Sequence, residues 1–232
     1  RNDDDSAAFQ AAVDALPVHG GAIVIPASDT PYLIGGIECG SKGVEWVGEG
    51  GPGQSAALGH AATELLVKDG TVGITFGDGT NSQFRGSTLS NLRLLAQSYA
   101  ARGGLLFRAI SNATANNVVC SNFSGPGCFG WKFDGTSGGG RYPSATMYND
   151  LYGCGANNCT VGIYGKRTTG LRVFGGLLDA NDNHASAVVP GTIGLLWQAP
   201  GDTLGVFGTR FQSYEIHIDS RCPGTYVSGT RH

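Results

Sequence analysis

Leu171-Arg172-Val173-Phe174-Gly175 and Leu204-Gly205-Val206-Phe207-Gly208 are near copies of one another, 33 residues apart. Each is a short β-prone run closed by a glycine. Similar runs precede them: Asn91-Leu92-Arg93-Leu94, Asn117-Val118-Val119-Cys120 and Asp150-Leu151-Tyr152-Gly153. A second kind of run is interleaved with the first. It comprises Gly104-Leu105-Leu106-Phe107, Gly130-Trp131-Lys132-Phe133, Gly162-Ile163-Tyr164-Gly165, Gly194-Leu195-Leu196-Trp197 and Glu215-Ile216-His217-Ile218. Taking Leu92, Val118, Leu151, Val173 and Val206 as equivalent, and likewise Leu105, Trp131, Ile163, Leu195 and Ile216, both series advance by 21 to 33 residues per unit. That step lies in the range of solenoid repeats.

A unit this short, with at least two strands and no helix, cannot cover its own apolar side chains. Stacking such units pairs each strand with those above and below, and buries one residue in two. The pattern predicts an all-β parallel β-helix. Its corners need left-handed backbone angles, which glycine and asparagine adopt most cheaply. This accounts for 39 glycines among 232 residues, where the usual share is about 7%. The glycines follow no three-residue period, so a collagen helix is excluded. The chain is 41% hydrophobic and only 14% charged, the reverse of a disordered composition.

A net charge of −3 and no visible basic patch argue against a nucleic-acid partner. No run approaches the roughly 20 apolar residues of a membrane span, so no membrane insertion is expected. Six cysteines, Cys39, Cys120, Cys128, Cys154, Cys159 and Cys222, form no C-x2-C zinc pair. They read either as buried thiols or as local bridges, Cys154 with Cys159 and Cys120 with Cys128.

The first segment is the one good helix. Asp5 or Ser6 suits the N-cap, Phe9, Val13 and Leu16 share one face, and Pro17 ends it. Asp4-Asp5-Ser6-Ala7-Ala8-Phe9-Gln10-Ala11-Ala12-Val13, followed by Gly20-Gly21-Ala22-Ile23-Val24-Ile25-Pro26 and Tyr32-Leu33-Ile34, resembles the start of pectate-lyase-like right-handed parallel β-helices. Gly43-Val44-Glu45-Trp46-Val47-Gly48-Glu49-Gly50 resembles the first coil of that superfamily. The resemblance covers about the first 50 residues. It implies a short helix capping the open end, hence a cap over 1–40 and a solenoid over 41–232. The superfamily includes cell-wall glycosidases and lyases and the tailspikes of bacteriophages. The abrupt ends of the chain suggest a segment of a larger protein.

Candidate chemistry lies on outward-facing positions. Glycoside hydrolysis uses two carboxylates, and polysaccharide elimination uses a base with cationic support. In Glu215-Ile216-His217-Ile218-Asp219, alternation points Glu215, His217 and Asp219 outward together. Asp179 and Asp182, in Asp179-Ala180-Asn181-Asp182, read as a corner loop with two carboxylates. Asp179 aligns with Asn157 and Gln212, an arrangement that also suits a structural amide ladder. These five residues are the catalytic candidates. Arg108, Asp134, Lys166, Gln198 and Asp219 align as one outward column. Arg108 and Lys166, with Tyr164 and Tyr214 as rings for stacking on sugars, are the substrate-binding candidates. No metal site is predicted; calcium is the cation that the Asp179–Asp182 oxygens would suit.

The function expected from this reading is engagement of a surface glycan. It resembles that of a phage tailspike or tail fibre which binds, and in some cases cleaves, polysaccharide. A homotrimer located outside the cell or on a virion is implied. A secreted glycoside hydrolase or polysaccharide lyase is the second reading, and a structural virion or adhesin module the third.

Overall fold

A computed structural model describes residues 3–52, 62–79, 86–135, 146–181, 187–198 and 201–230, except the side chain of Met147. Helix α1 (Ser6–Ala15) is followed by strands that wind in repeated coils. β1 (Gly20–Ile25), β2 (Tyr32–Ile34) and β3 (Ile37–Glu38) form the first coil. β4 (Gly43–Gly48), β5 (Glu64–Val67) and β6 (Val72–Phe76) form the second. β7 (Thr88–Ala96) with β8 (Gly103–Arg108), then β9 (Thr114–Ser121) with β10 (Phe129–Asp134), make the next two. β11 (Thr146–Met147), β12 (Asp150–Tyr152), β13 (Gly155–Asn157) and β14 (Val161–Lys166) follow. β15 (Thr168–Phe174), β16 (Leu177–Asp179) and β17 (Val189–Gln198) form the sixth coil. β18 (Asp202–Phe207), β19 (Arg210–Gln212) and β20 (Tyr214–Ser220) form the seventh, and β21 (Thr225–Ser228) begins another.

The named strands pair in parallel with their counterparts in the coils before and after, making three faces. The first face runs β1-β4-β7-β9-β12-β15-β18-β21, and the third runs β3-β6-β8-β10-β14-β17-β20. The second face holds β2, β5, β13, β16 and β19, with the later halves of β7 and β9. Stacking begins at β1, so the expected cap over 1–40 divides into α1 and a first coil.

Inward rungs build the core. On the first face Trp46, Leu89, Ala115, Leu151, Val173 and Val206 stack in register. On the third face Ile74, Leu105, Trp131, Ile163 and Leu195 do the same. All are buried. Beside them Phe76, Phe107 and Phe133 stack face to face, with centroids 4.9 and 4.7 Å apart, the rung spacing of parallel strands.

The corner between the first and second faces explains much of the glycine content. Asn91, Asn117, Gly153, Gly175 and Gly208 all have φ between 53° and 66° and lie in one column. Asn117 Nδ2 donates to Asn91 Oδ1 at 2.9 Å. The column corrects the repeat alignment: Leu151 stacks on Ala115, not Val118. Asparagine and glycine both satisfy the left-handed corner, so the Asn-led runs and the Gly-closed runs are offset by three residues. The last coil is corrected too, because Leu195 pairs with Ile218 rather than Ile216.

Helix α1 sits over the first coils. Phe9 stacks on Trp46 at 6.0 Å and meets Tyr32 edge-on at 5.7 Å, while Val13 is buried. The expected side-chain cap from Asp5 is absent. Asp4 Oδ1 accepts from the Ser6 amide and hydroxyl instead, while Asp5 Oδ2 accepts from Leu33 N. At the other end Lys42 Nζ donates to the carbonyls of Val13, Asp14 and Leu16 at 2.8–2.9 Å. Val13 O also accepts from the Leu16 amide at 3.2 Å; the last carbonyls of a helix lack the regular amide partners, and a cation is favourable at that end of the dipole.

Candidate functional site

The outward side of the third face carries two neighbouring columns. Leu106, Lys132, Tyr164, Leu196 and Asp219 make one. Arg108, Asp134, Lys166 and Gln198 make the other, as the repeat alignment expects. Asp219 therefore moves from the second column to the first, a consequence of the two-residue shift in the last coil.

Lys132 joins the columns. Its ammonium lies 5.1 Å from the Tyr164 ring centre and 5.6 Å from that of Phe129, and 3.1 Å from Asp134 Oδ2. Cation–π attraction of this kind fixes a ring and an ammonium in one plane of contact. The Tyr164 hydroxyl donates to Gln198 Oε1 at 2.8 Å. Partial burial, with the Asp134 charge second, raises the Tyr164 pKa, so the phenol stays protonated and able to donate. Arg108 is exposed and Lys166 half-buried in the same strip. The arrangement offers a ring, cations, an amide and a carboxylate on a flat surface with about 4.8 Å between rungs. Lys132 is the residue that reading the sequence missed, although it shares strand position with Tyr164 and was findable from that parity.

The proposed acid–base–acid set does not share a face. Glu215 is exposed near the start of β20, and its Oε2 accepts from Gly191 N at 2.6 Å. Here β17 bulges: Val189 pairs with Tyr214 and Ile193 with Ile216, so β17 has two more residues between these rungs. The carboxylate satisfies an amide of the bulge. His217 occupies the rung after Gly194 and stacks on buried Phe211 at 5.9 Å. Where earlier coils have Gly104, Gly130, Gly162 and Gly194, a Cβ would meet atoms of the next rung or the opposite wall at 2.5–2.9 Å. That position points inward, and His217 follows it. Asp219 lies on the third face and is bonded by the Arg221 guanidinium, Nη2 to Oδ2 at 2.8 Å.

Asp179 is 1% exposed. It pairs in register with Asn157 and Gln212, and its Oδ1 accepts from Asn181 N at 3.0 Å. It is a corner residue closed to solvent. Asp182 lies outside the described residues. Tyr214 is also buried, its hydroxyl donating to Ala156 O at 3.3 Å. Burial pushes its pKa well above the phenol range, and no sugar can stack on it. Among the described residues no three of His, Cys, Asp and Glu gather to hold a metal. None of the six cysteines is in a disulfide; Cys39, Cys120, Cys128, Cys154 and Cys159 are buried thiols and Cys222 is half-buried.

On the first face Tyr152, Phe174 and Phe207 stack at 5.0 and 5.1 Å. Beside them Arg172 holds Asp150 through two bonds of 2.7 Å. Aligned runs place Asp150 opposite Arg172, so this pair too was legible. The ring faces are spent on each other, which makes the stripe a stabilising ladder. At the corner between the second and third faces lies a cleft of about 290 Å³, lined by residues that include Asn158, Thr160, Ala180, Pro190 and Thr192.

Coils, corners and registers together define a right-handed parallel β-helix protein. No protein-family model and no curated protein matches the chain. Solved structures do. The Geobacillus virus E2 ORF18 protein is similar with a TM-score of 0.61 and 14% identity, over 99% of this chain and 45% of that one. The chain thus spans less than half the length of the virus protein. The Azotobacter vinelandii mannuronan C-5 epimerase AlgE4 A-module matches with a TM-score of 0.49 and 16% identity, over 98% of this chain and 71% of that one. The catalytic domain of a GH87 alpha-1,3-glucanase matches at 0.47 and 14%, over 90% and 40%. Among the described residues no helix is long and apolar enough to cross a membrane.

Proposed function

We propose that this β-helix binds an extended glycan along the outward side of its third face, as part of a virion-surface or extracellular protein of the tailspike kind. The observation that carries this reading is the Lys132–Tyr164 contact at 5.1 Å, with Asp134 and Gln198 bonded to its two ends. A ring held by a cation and an amide offers an apolar face with polar groups at its margin, the combination that sugar rings need. Repetition along the coils suits a repeating polymer. The fold likeness to a virus protein supports the virion setting.

Binding is favoured over cleavage by spacing. Asp134 and Asp219 are carboxylates of this strip, and they lie on β10 and β20, three strands apart. At about 4.8 Å per strand that is roughly 14 Å, beyond the 5 to 9.5 Å that glycosidic acid–base pairs use. The alternative of a secreted glycoside hydrolase or lyase needs carboxylates that meet this limit.

The test is retention on a panel of immobilised polysaccharides by the wild type, Lys132→Ala and Tyr164→Ala, with thermal melting as a control. Loss of retention in both variants at unchanged melting supports the strip. A wild type that holds no polysaccharide overturns the proposal. Release of reducing ends, or of unsaturated uronates absorbing in the ultraviolet, would replace binding with hydrolysis or elimination. Light scattering tests the homotrimer that a tailspike would form.

A further inference from the structure

The corner between the second and third faces carries an amide ladder that stops short. Asn122 and Asn158 occupy successive coils, and Asn158 Nδ2 donates to Asn122 Oδ1 at 3.1 Å. The next coil has Ala180 at this position, because Asn157 pairs with Asp179. Ala180 is 2% exposed, packs in the hydrophobic core and does not share the positive φ of Asn122 (68°) and Asn158 (50°), so the amide ladder ends at Asn158. The 290 Å³ cleft opens beside Asn158.

The two threonines that line the cleft offer acceptors, beside the exposed Ser124 hydroxyl, which can also donate. Thr160 Oγ1 donates to Gly125 O at 2.9 Å and Thr192 Oγ1 to Val189 O at 2.6 Å. Both hydroxyl protons are spent on the backbone, so lone pairs are what these groups offer a ligand. Asn158 Oδ1 adds another acceptor. Glu215 stands beside the cleft, held through Oε2 by Gly191 and through its own amide by Thr192; Oε1 is the oxygen left over. Pro126, Val189 and Pro190 supply apolar wall.

We infer that this cleft takes one neutral pyranose unit, as a chain end or side branch of a glycan. A ligand here must donate several hydrogen bonds, carry no negative charge opposite Glu215, and present a C–H surface to prolines. A neutral sugar ring meets all three requirements. The volume lies at the low end of the roughly 300–1,000 Å³ of small-molecule sites, which suits one ring and not a chain. The cleft deepens the proposed glycan reading by adding a subsite on a different side of the coil, yet its chemistry stands apart from the cationic strip.

The experiment is titration of isotope-labelled protein with methyl glucoside, methyl galactoside, N-acetylglucosamine and galacturonate, followed by amide and side-chain NMR shifts. Saturable shifts at Asn158, Thr160, Gly191 and Thr192 are expected with at least one neutral sugar, at roughly millimolar affinity, and none there with galacturonate. Thr160→Val removes one acceptor from the cleft; it should weaken the neutral sugar by about tenfold or more. Should that variant fail to fold, Asn158→Ala is the second probe, with the same expected loss. Shifts absent with all three neutral sugars, or equal for galacturonate, overturn the inference. Lys132→Ala should leave these shifts intact. A protein that binds the pyranose but no polymer keeps the cleft and loses the strip; the converse loses the cleft alone.

Discussion

The indole of Trp197 lies where Gly165 would carry a side chain: a Cβ on Gly165 would stand 2.0 Å from a Trp197 ring carbon. The two residues pair on adjacent strands of the third face. Below them the same column holds Phe76, Phe107 and Phe133. A fourth ring of that kind at 165 would leave Trp197 no room. The missing side chain of one coil is therefore filled by the largest side chain of the next.

Gly165→Ala should be destabilising although it adds one methyl group. Overpacking a closed core costs about 1–3 kcal/mol, which for a domain of this size lowers Tm by roughly 2–4 °C per kcal/mol. Thermal and denaturant unfolding would show it. An unchanged Tm would mean that Trp197 has another place to go.

Trp131 and Trp197 are both fully buried, but only one has its indole N–H satisfied. Trp131 Nε1 donates to Gly155 O at 2.9 Å, while Trp197 Nε1 has no partner. Replacing each by Phe removes similar volume. Trp131→Phe should cost about 1 kcal/mol more, the net worth of one hydrogen bond in a buried setting. Paired denaturant curves test the difference, and equal losses would contradict it.

Asp4 ties the start of the chain to Lys68, at 2.6 Å. The bond from Lys68 and those from Ser6 hold the Asp4 carboxyl down at about 2. A folded-state value below the unfolded one means that the contribution is present above pH of about 4. It is lost as pH falls through about 2. Carboxyl-carbon NMR should give the low midpoint, and Lys68→Met should raise it toward the ordinary 3.8. A midpoint unmoved by that change would assign the shift to Ser6 alone.

Burial raises the thiol of Cys39 to about 12 and that of Cys154 to about 11. Cys120 is pushed up as well, by burial first and neighbouring thiols second. Thiolate is the reactive form, so these three should resist alkylation near pH 8. Cys222 is the one cysteine of intermediate exposure and should react first. Mass spectrometry after brief treatment with iodoacetamide checks the order. Labelling of Cys120 before Cys222 would contradict the burial.

The coils were legible because their signals are local. A corner needs a residue that tolerates positive φ, and Gly153, Gly175 and Gly208 show it directly. An inward rung needs an apolar residue, and Leu105, Trp131, Ile163 and Leu195 show that. Arg108 and Lys166 share a column as the repeat alignment expects, and Tyr164 lies in the column beside it. Asn91 and Asn117 were misaligned because two residue types answer one backbone demand.

The sequence by itself determined the repeating coil, its apolar lining and the helix at its start, since each depends on neighbours along the chain. Tertiary structure alone decided what the last coils do. The two extra residues of β17 between Val189 and Ile193 set the register against β20. That register places Asp219 beside Leu196 and puts His217 on the inward glycine position. Which way a side chain faces depends on strand register, and a shift of one residue exchanges inside for outside. Stacking against the coil below fixes the register. The same stacking buries Asp179 and leaves the cleft beside Asn158.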